Sequence, residues 1–387
     1  MELIGRRRFL AASLGVAGVA VLGACSNDGS DGSSGSDGGG AGASGTGPIA
    51  AGAAGLVAED AYGARIDRYL AAATTDDVDP GNPVSIATHL IAAHRDPDHE
   101  WSASSVTVDS LADVWQQIDD WEDTRDFRFV YFHWMLGLAD GKAPSTTLDP
   151  DVVAAIEQRM VDNRYRYDDP LPDDRIDNLW FWSENHRILG LVGEYLAGQR
   201  LPDETFTITG LTGKEHVARS KQPILDWIDE RARFGFFEWH SNVYMKKDIE
   251  PLLTLIAFAD DPEVVQAATM AVDLCVLDLA GHDHASVYNA SRGRTYANDK
   301  TNAIEGTFDV FKLLFDDTDL DHRQGADAAA SFFAGTDGYR PPQVLVDMAT
   351  AKDPGVVRER HGIFVDGSVP VTENPKAPYG YDFDDPA

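Results

Sequence analysis

The chain has 387 residues, 43% of them hydrophobic and 25% charged, which is enough to bury a core and too apolar for bulk disorder. Lysine and arginine number 32 against 64 acids, mostly aspartate, for a formal net charge of −32. That balance excludes a general nucleic-acid binder, which needs a basic footprint, and weighs against docking on anionic lipid by charge alone. A polyanionic ligand would need a local basic island in a negative field.

The first 25 residues read as an address. Arg6, Arg7 and Arg8 precede Phe9-Leu10 and a run of small and apolar residues up to Leu22, similar to a twin-arginine export signal. The run is shorter than the roughly 20 apolar residues of a membrane span. Leu22-Gly23-Ala24-Cys25 resembles a lipobox, with Cys25 as the lipidated first residue of the mature protein; the other reading is an uncleaved anchor. Both place the remainder outside the cytoplasmic membrane, at the cell surface or in a periplasm, and the lipobox makes a lipid anchor its only membrane contact. With Cys25 so used, Cys275 has no partner and no intrachain disulfide is expected. Residues 26–55, rich in Gly, Ser, Ala and Asp, read as a flexible tether, and 56–387 as one folded domain.

Helical spacing runs through that domain, and two-residue alternation is scarce. In chain order the apolar stripes predict helices at 59–73, 109–118, 127–138, 150–160 (opened by Pro150-Asp151), 188–196 (ended by Gly198), 215–233, 252–258, 263–279 (opened by Asp261-Pro262), 307–315, 324–334 and 341–350. The stretch 263–279 is apolar nearly all round, the mark of a helix buried on most sides. The fold class is all-α. Paired helices with aromatic-rich connections suggest an α/α toroid, since a HEAT-like solenoid would have units more equal in length. The chain stops at Ala387 in a segment that reads as a loop, so an incomplete barrel, cut short of a C-terminal part, is expected.

Large polar and aromatic residues crowd into three stretches at predicted helix boundaries. The first, 178–187, holds Trp180, Trp182, Glu184, Asn185 and His186. The second, 234–244, holds Glu238, His240, Asn242 and Tyr244. The third, 288–296, holds Arg292, Arg294 and Tyr296. Flat aromatics that stack on sugar faces, with amides, acids and guanidinium groups that bond hydroxyls, are the make-up of a carbohydrate site. Each residue has a plainer alternative: core for the tryptophans, a first-turn acid for Glu184, a satisfied interior histidine for His186, partners of the many Asp for Arg292 and Arg294, a buried phenol for Tyr296. The conjunction favours a site. His282-Asp283-His284 lacks a third ligand in register, and 316–321 lacks the Gly and terminal Glu of a helix-loop-helix calcium motif. Neither a metal nor another cofactor is expected.

Asn185-His186 beside tryptophans, followed after a long helix by Arg292-Gly-Arg294-Thr-Tyr296, resembles the polysaccharide lyases with α/α toroid folds, among them alginate, heparinoid and glucuronan lyases. The arginine–tyrosine run is one residue shorter than in that family, and the toroid lyases commonly carry a C-terminal β-sandwich, whereas the sequence here stops at Ala387. The resemblance implies β-elimination on a uronate-containing polysaccharide or oligosaccharide. By it, Asn185 and Arg292 neutralise the uronate carboxylate, His186 acts as neutraliser or base, and Tyr296 moves the proton, with Tyr244 as the alternative phenol. Trp180, Trp182, Glu184, Glu238, His240, Asn242, Tyr244 and Arg294 are the expected substrate-binding groups. The chemistry asks for such a set, because the C5 proton is removable only when the adjacent carboxylate is neutralised, with a base and an acid in reach. The rival enzyme is a glycoside hydrolase using Glu184 and Glu238, which needs carboxylates roughly 5–9 Å apart. The rival without catalysis is a tethered glycan-binding or scaffold lipoprotein.

Overall fold

A computed structural model describes residues 55–302, 304, 306–352, 355–359 and 361. The export signal, Cys25, the tether up to residue 54 and residues 362–387 lie outside the described residues. Among the described residues thirteen α-helices follow one another: α1 Glu59–Ala73, α2 Pro83–Arg95, α3 Ala112–Asp119, α4 Arg125–Leu138, α5 Pro150–Asp162, α6 Glu184–Arg200, α7 Gly213–Phe234, α8 Tyr244–Phe258, α9 Pro262–Gly281, α10 Ala297–Thr301, α11 Phe308–Leu314, α12 Ala328–Gly335 and α13 Gln343–Ala349. The only sheet among the described residues is a two-residue hairpin, β1 Asp283–His284 against β2 Val287–Tyr288. The all-α expectation therefore holds.

The helix starts follow local chemistry. Asn82, Asp149 and Asp261 each accept an N–H of the first turn with their side chains, and a proline follows each of them. These side chains satisfy donors that a helix start leaves free, and proline there gives up no bond. At α7, Thr212 and Glu215 cap each other reciprocally, the arrangement known as a capping box.

Packing sorts the helices into two groups. α2 packs on α4, α4 on α6, α6 on α8, α8 on α12, and α12 returns to α2, with α4 also meeting α8. α1, α3, α5, α7 and α9 each lie against one or more members of this cycle. The sequence sets the division. In α6 every residue from Glu184 to Gly198 is buried except Arg187. In α1 the buried set is one stripe (Tyr62, Ile66, Tyr69, Leu70, Ala73), and in α5 it is Val152, Ile156 and Met160. A helix apolar on one stripe covers a core, and one buried all round sits inside it. α9 is long and apolar enough by length and composition to cross a membrane, but it packs on α7, α8 and α13.

Aromatic rings link the cycle from within. Trp134 of α4 stacks on Phe332 of α12 with centroids 4.5 Å apart, meets Phe258 of α8 edge-on at 4.9 Å, and donates its indole N–H to Thr254 at 2.9 Å. Such ring pairs contribute about 0.5–1.5 kcal/mol each beyond the area they bury. α6 and α7 cross at two glycines. A Cβ on Gly198 would lie 2.5 Å from the Gly213 carbonyl oxygen, and one on Gly213 2.1 Å from that of Leu201, so no larger residue fits there.

Candidate functional site

The three polar segments meet around Glu238. Ser183 caps α6 by accepting the His186 N–H at 3.3 Å, which sets Glu184, Asn185 and His186 in the first turn. The second segment leaves α7 at Gly235, whose φ of +69° suits glycine, and enters α8 at Tyr244. The third runs from β2 to α10 and lies flat on the second. The Gly293 N–H donates to the Trp239 carbonyl at 3.0 Å, and a Cβ on Gly293 would stand 2.9 Å from the Trp239 indole nitrogen. Ser241 Oγ holds the Arg294 carbonyl at 2.8 Å.

From this frame one continuous polar network emerges. Asn185 Nδ2 donates to Glu238 Oε2 at 2.5 Å, and Arg294 Nη1 donates to Glu238 Oε1 at 3.2 Å. Arg294 Nη2 donates to the Tyr296 hydroxyl at 3.1 Å, while its guanidinium lies 4.1 Å over the Tyr244 ring. The hydroxyls of Tyr244 and Tyr296 hydrogen-bond to each other. The network runs from enclosed to open: Asn185 is fully buried and Tyr244 nearly so, but Tyr296 is 47% exposed.

Charge is crowded beneath it. Glu184 accepts the Glu238 backbone N–H at 2.7 Å and faces Arg231 Nη1 at 2.8 Å, with both of those side chains fully buried. Burial, only partly offset by Arg231, pushes the Glu184 carboxyl up to about 7. Burial likewise raises Asp248 well above the carboxylate range, with Glu184 and Glu238 adding to the effect. On the other side, His186 Nδ1 pairs with Asp126 Oδ2 at 2.7 Å and the ring stacks on Phe127. Burial disfavours the imidazolium, but Asp126, aided by Asp123 and Glu238, outweighs it and raises the His186 pKa. Burial also raises the Tyr244 phenol; its bond to Tyr296 adds to that, and Arg294 opposes it.

Not every residue singled out in the sequence joins this network. Arg292, expected as a neutraliser, gives its guanidinium to the Tyr288 and Asp299 carbonyls at 2.6 and 3.2 Å; Arg294 is the arginine at the phenols. His240 faces Glu359 and Asp278 instead. Asn242 is buried under Gly306, where an added Cβ would touch its amide. Trp180 is 56% exposed and meets Trp182 edge-on at 5.6 Å, and Trp182 meets the exposed Tyr167 at 4.5 Å. These rings form an aromatic surface beside α6. A hollow of about 500 Å³ lined by Asn82, Gln116, Gln117, Glu122 and Arg128 contains none of the motif residues, so the site is defined by converging polar groups. Sequence reasoning passed over Asp126, Arg231 and Asp248. Their partners lie 60, 47 and 64 positions away or come through charge alone, and no local pattern marks them.

No protein-family model, curated protein or solved structure matches the chain. Its function is therefore argued from the chemistry of the site.

Proposed function

We propose that the protein is an exported, lipid-anchored polysaccharide lyase that cleaves a uronate-containing chain by β-elimination, and that its cycle of helices is an α/α toroid. The observation that carries this reading is Arg294, set between a carboxylate and two touching phenols. A uronate carboxylate takes the place of Glu238 as the partner of Arg294 Nη1, and its neutralisation makes the C5 proton removable. His186, whose pKa Asp126 raises against the pull of burial, is the basic group on the other side of the site. Tyr296, the exposed phenol, removes the C5 proton and returns a proton to the leaving glycosidic oxygen; Tyr244 holds its hydroxyl in place. The Arg294 guanidinium donates to the Tyr296 hydroxyl and so stabilises negative charge that develops on that oxygen as the proton moves. Asn185, fully buried, orients Glu238 and does not touch substrate. Trp180, Trp182 and Tyr167 supply faces on which sugar rings stack.

A glycoside hydrolase has one observation in its favour: a carboxyl near 7 is what a general acid needs, and Glu184 has it. The Glu184 side chain is fully enclosed, however, between Arg231 and the Glu238 backbone, where a glycosidic oxygen does not reach. The deciding experiment offers alginate, heparinoid and glucuronan to the purified protein. The expected result is unsaturated product absorbing near the ultraviolet edge on one of them. New reducing ends without that absorbance would instead mean hydrolysis, and saturable binding with neither would mean a glycan-binding lipoprotein. The address is tested separately: Cys25→Ser is expected to release the protein from membranes, and unchanged pelleting would point to an uncleaved helix.

A further inference from the structure

Next to the polar network, and pointing away from it, lies a second cluster built from three distant parts of the chain. His240 comes from the segment between α7 and α8, Asp278 and His282 from the end of α9, and Glu359 and His361 from the segment after α13. Ligand atoms of His240, Asp278, Glu359 and His361 all lie within 4.8 Å of one another. His240 Nε2 is 2.7 Å from Glu359 Oε2 and 3.7 Å from Asp278 Oδ1. His361 Nε2 is 3.5 and 3.9 Å from the same two carboxylates, and His282 Nε2 is 3.5 Å from Glu359. A zinc ion holding nitrogen and oxygen at roughly 2.0–2.2 Å sets tetrahedral ligand atoms about 3.3–3.5 Å apart, so small side-chain adjustments bring these atoms to that spacing.

Three further observations point to a cation. First, two of the histidines share one orientation. His240 Nδ1 faces the Ser291 carbonyl at 3.3 Å and His282 Nδ1 the Asp278 carbonyl at 3.0 Å. A backbone carbonyl on Nδ1–H fixes the tautomer that leaves the Nε2 lone pair free, the usual support of a metal-bound imidazole. His361 Nδ1 lies 3.2 Å from both the Phe236 carbonyl oxygen and the Phe236 N–H, so its partners allow either tautomer. Second, polar atoms are left over. Asp278, 7% exposed, has no hydrogen-bond partner for Oδ2, and neither has the buried Nε2 of His361. Buried polar atoms of this kind are costly unless something satisfies them. Third, His240 takes φ +52°, a left-handed conformation that costs a non-glycine residue roughly 1–2 kcal/mol. That conformation turns its ring toward the cluster while Glu238, two residues earlier, faces Arg294.

We propose that His240, Asp278, Glu359 and His361 bind one divalent transition-metal ion, with zinc the best match to two imidazoles and two carboxylates, and with His282 at its edge. The ion clips Glu359 and His361 onto the end of α9 and onto the loop that carries Glu238 and Trp239. Its place is structural, one loop away from the proposed chemistry. The run His282-Asp283-His284 supplies only its first residue; Asp283 and His284 belong to β1.

The test reads zinc and not turnover, so it stands whether or not the lyase reading does. Full-length protein is stripped with a chelator, dialysed, and titrated with zinc chloride in competition with a chromophoric chelator, alongside a thermal melt. One equivalent bound and a higher Tm with zinc are expected. Glu359→Gln and His361→Ala lie outside every helix, so the helices do not depend on them; each is expected to weaken zinc binding at least roughly 100-fold and to abolish the Tm response. His284→Ala, in β1 just after His282 but outside the cluster, is expected to bind as the parent does. Binding that stays sub-stoichiometric, or that survives His361→Ala unchanged, would overturn the proposal and leave a proton-sharing cluster of histidines and carboxylates.

Discussion

The Glu184 carboxylate accepts the backbone N–H of Glu238 at 2.7 Å, across 54 residues of sequence. This bond joins the start of α6 to the loop before α8 and fixes the backbone from which Glu238 reaches Asn185 and Arg294. It also crowds three acids, Glu184, Glu238 and Asp248, around the single buried cation Arg231.

That crowding has a pH signature. The folded-state pKa of Glu184 is raised from 4.5 to about 7, so the folded protein binds a proton the unfolded chain has already lost. Stability from this site is fully present below the unfolded value and is lost as pH rises through about 7; the raised Asp248 acts in the same direction. Glu184→Gln is expected to match the parent near pH 5 and to exceed it in stability above pH 7, by up to roughly 3 kcal/mol at 1.36 kcal/mol per unit. Urea unfolding at the two pH values checks this. A variant less stable than the parent at pH 8 would mean that the Arg231 attraction outweighs the crowding.

His186 gives the same sign by a different cause. Asp126 raises its pKa against the pull of burial, so the stabilisation from the charged pair is present below the ordinary histidine value and fades as pH rises through the raised one. In Asp126→Asn only burial remains of the main effects, and the imidazole is expected to titrate below its ordinary value. Following the His186 ring protons by NMR in parent and variant should show midpoints on either side of 6.5. If the two coincide, Asp126 does not hold the charge.

The fastening of α1 to the helix cycle can be tested at Tyr69. Its hydroxyl, wholly buried, donates to the Asp327 carbonyl at 2.8 Å, lies 2.8 Å from Ser331 Oγ, and accepts the Asp327 N–H at 3.0 Å. α1 is thereby fastened to the cap of α12, near the two ends of the described chain. Tyr69→Phe leaves these buried groups short of a partner, which costs about 1–3 kcal/mol. A shift in the urea midpoint with an unchanged slope is the expected reading; no shift would mean that the first helix is not held there.

Most of the helices were legible in the sequence because each buries large apolar residues at helical spacing. The stripes at 59–73, 127–138, 150–160 and 263–279 match α1, α4, α5 and α9 to within a few residues. α2 was passed over although Asn82-Pro83 announces it, since much of its buried face is Ala87, Thr88, His89, Ala92 and Ala93 and makes a weak stripe. The three polar segments were visible as residue types, and their convergence was not, because it depends on which helix ends pack together. For the same reason Arg292 and Arg294 could not be told apart: two residues apart, one is turned to backbone carbonyls and the other to the phenols. The His240 cluster takes its groups from positions 240, 278, 359 and 361, a spacing with no local signature.

The two phenols allow the proposed chemistry to be dissected. Tyr296 is about half exposed and receives the Arg294 hydrogen bond, whereas Tyr244 is buried under that guanidinium and its pKa is raised by burial. Tyr296→Phe removes only the proton-carrying oxygen, and as acid and base its loss is expected to lower kcat by about 10²–10⁴-fold with KM nearly kept. Tyr244→Phe removes a group that positions the Tyr296 hydroxyl, and its expected cost in kcat is smaller than that of Tyr296→Phe. Arg294→Ala removes the uronate's counter-charge, present in both ground and transition states, so KM rises and kcat falls together. Arg292→Ala, whose guanidinium holds only the Tyr288 and Asp299 carbonyls, is expected to lower Tm and to leave kcat/KM much closer to the parent. Steady-state kinetics on the substrate that gives unsaturated product measures all four. Should Arg292→Ala be the more damaging to turnover of the two arginine variants, the assignment of Arg294 as the neutralising group fails.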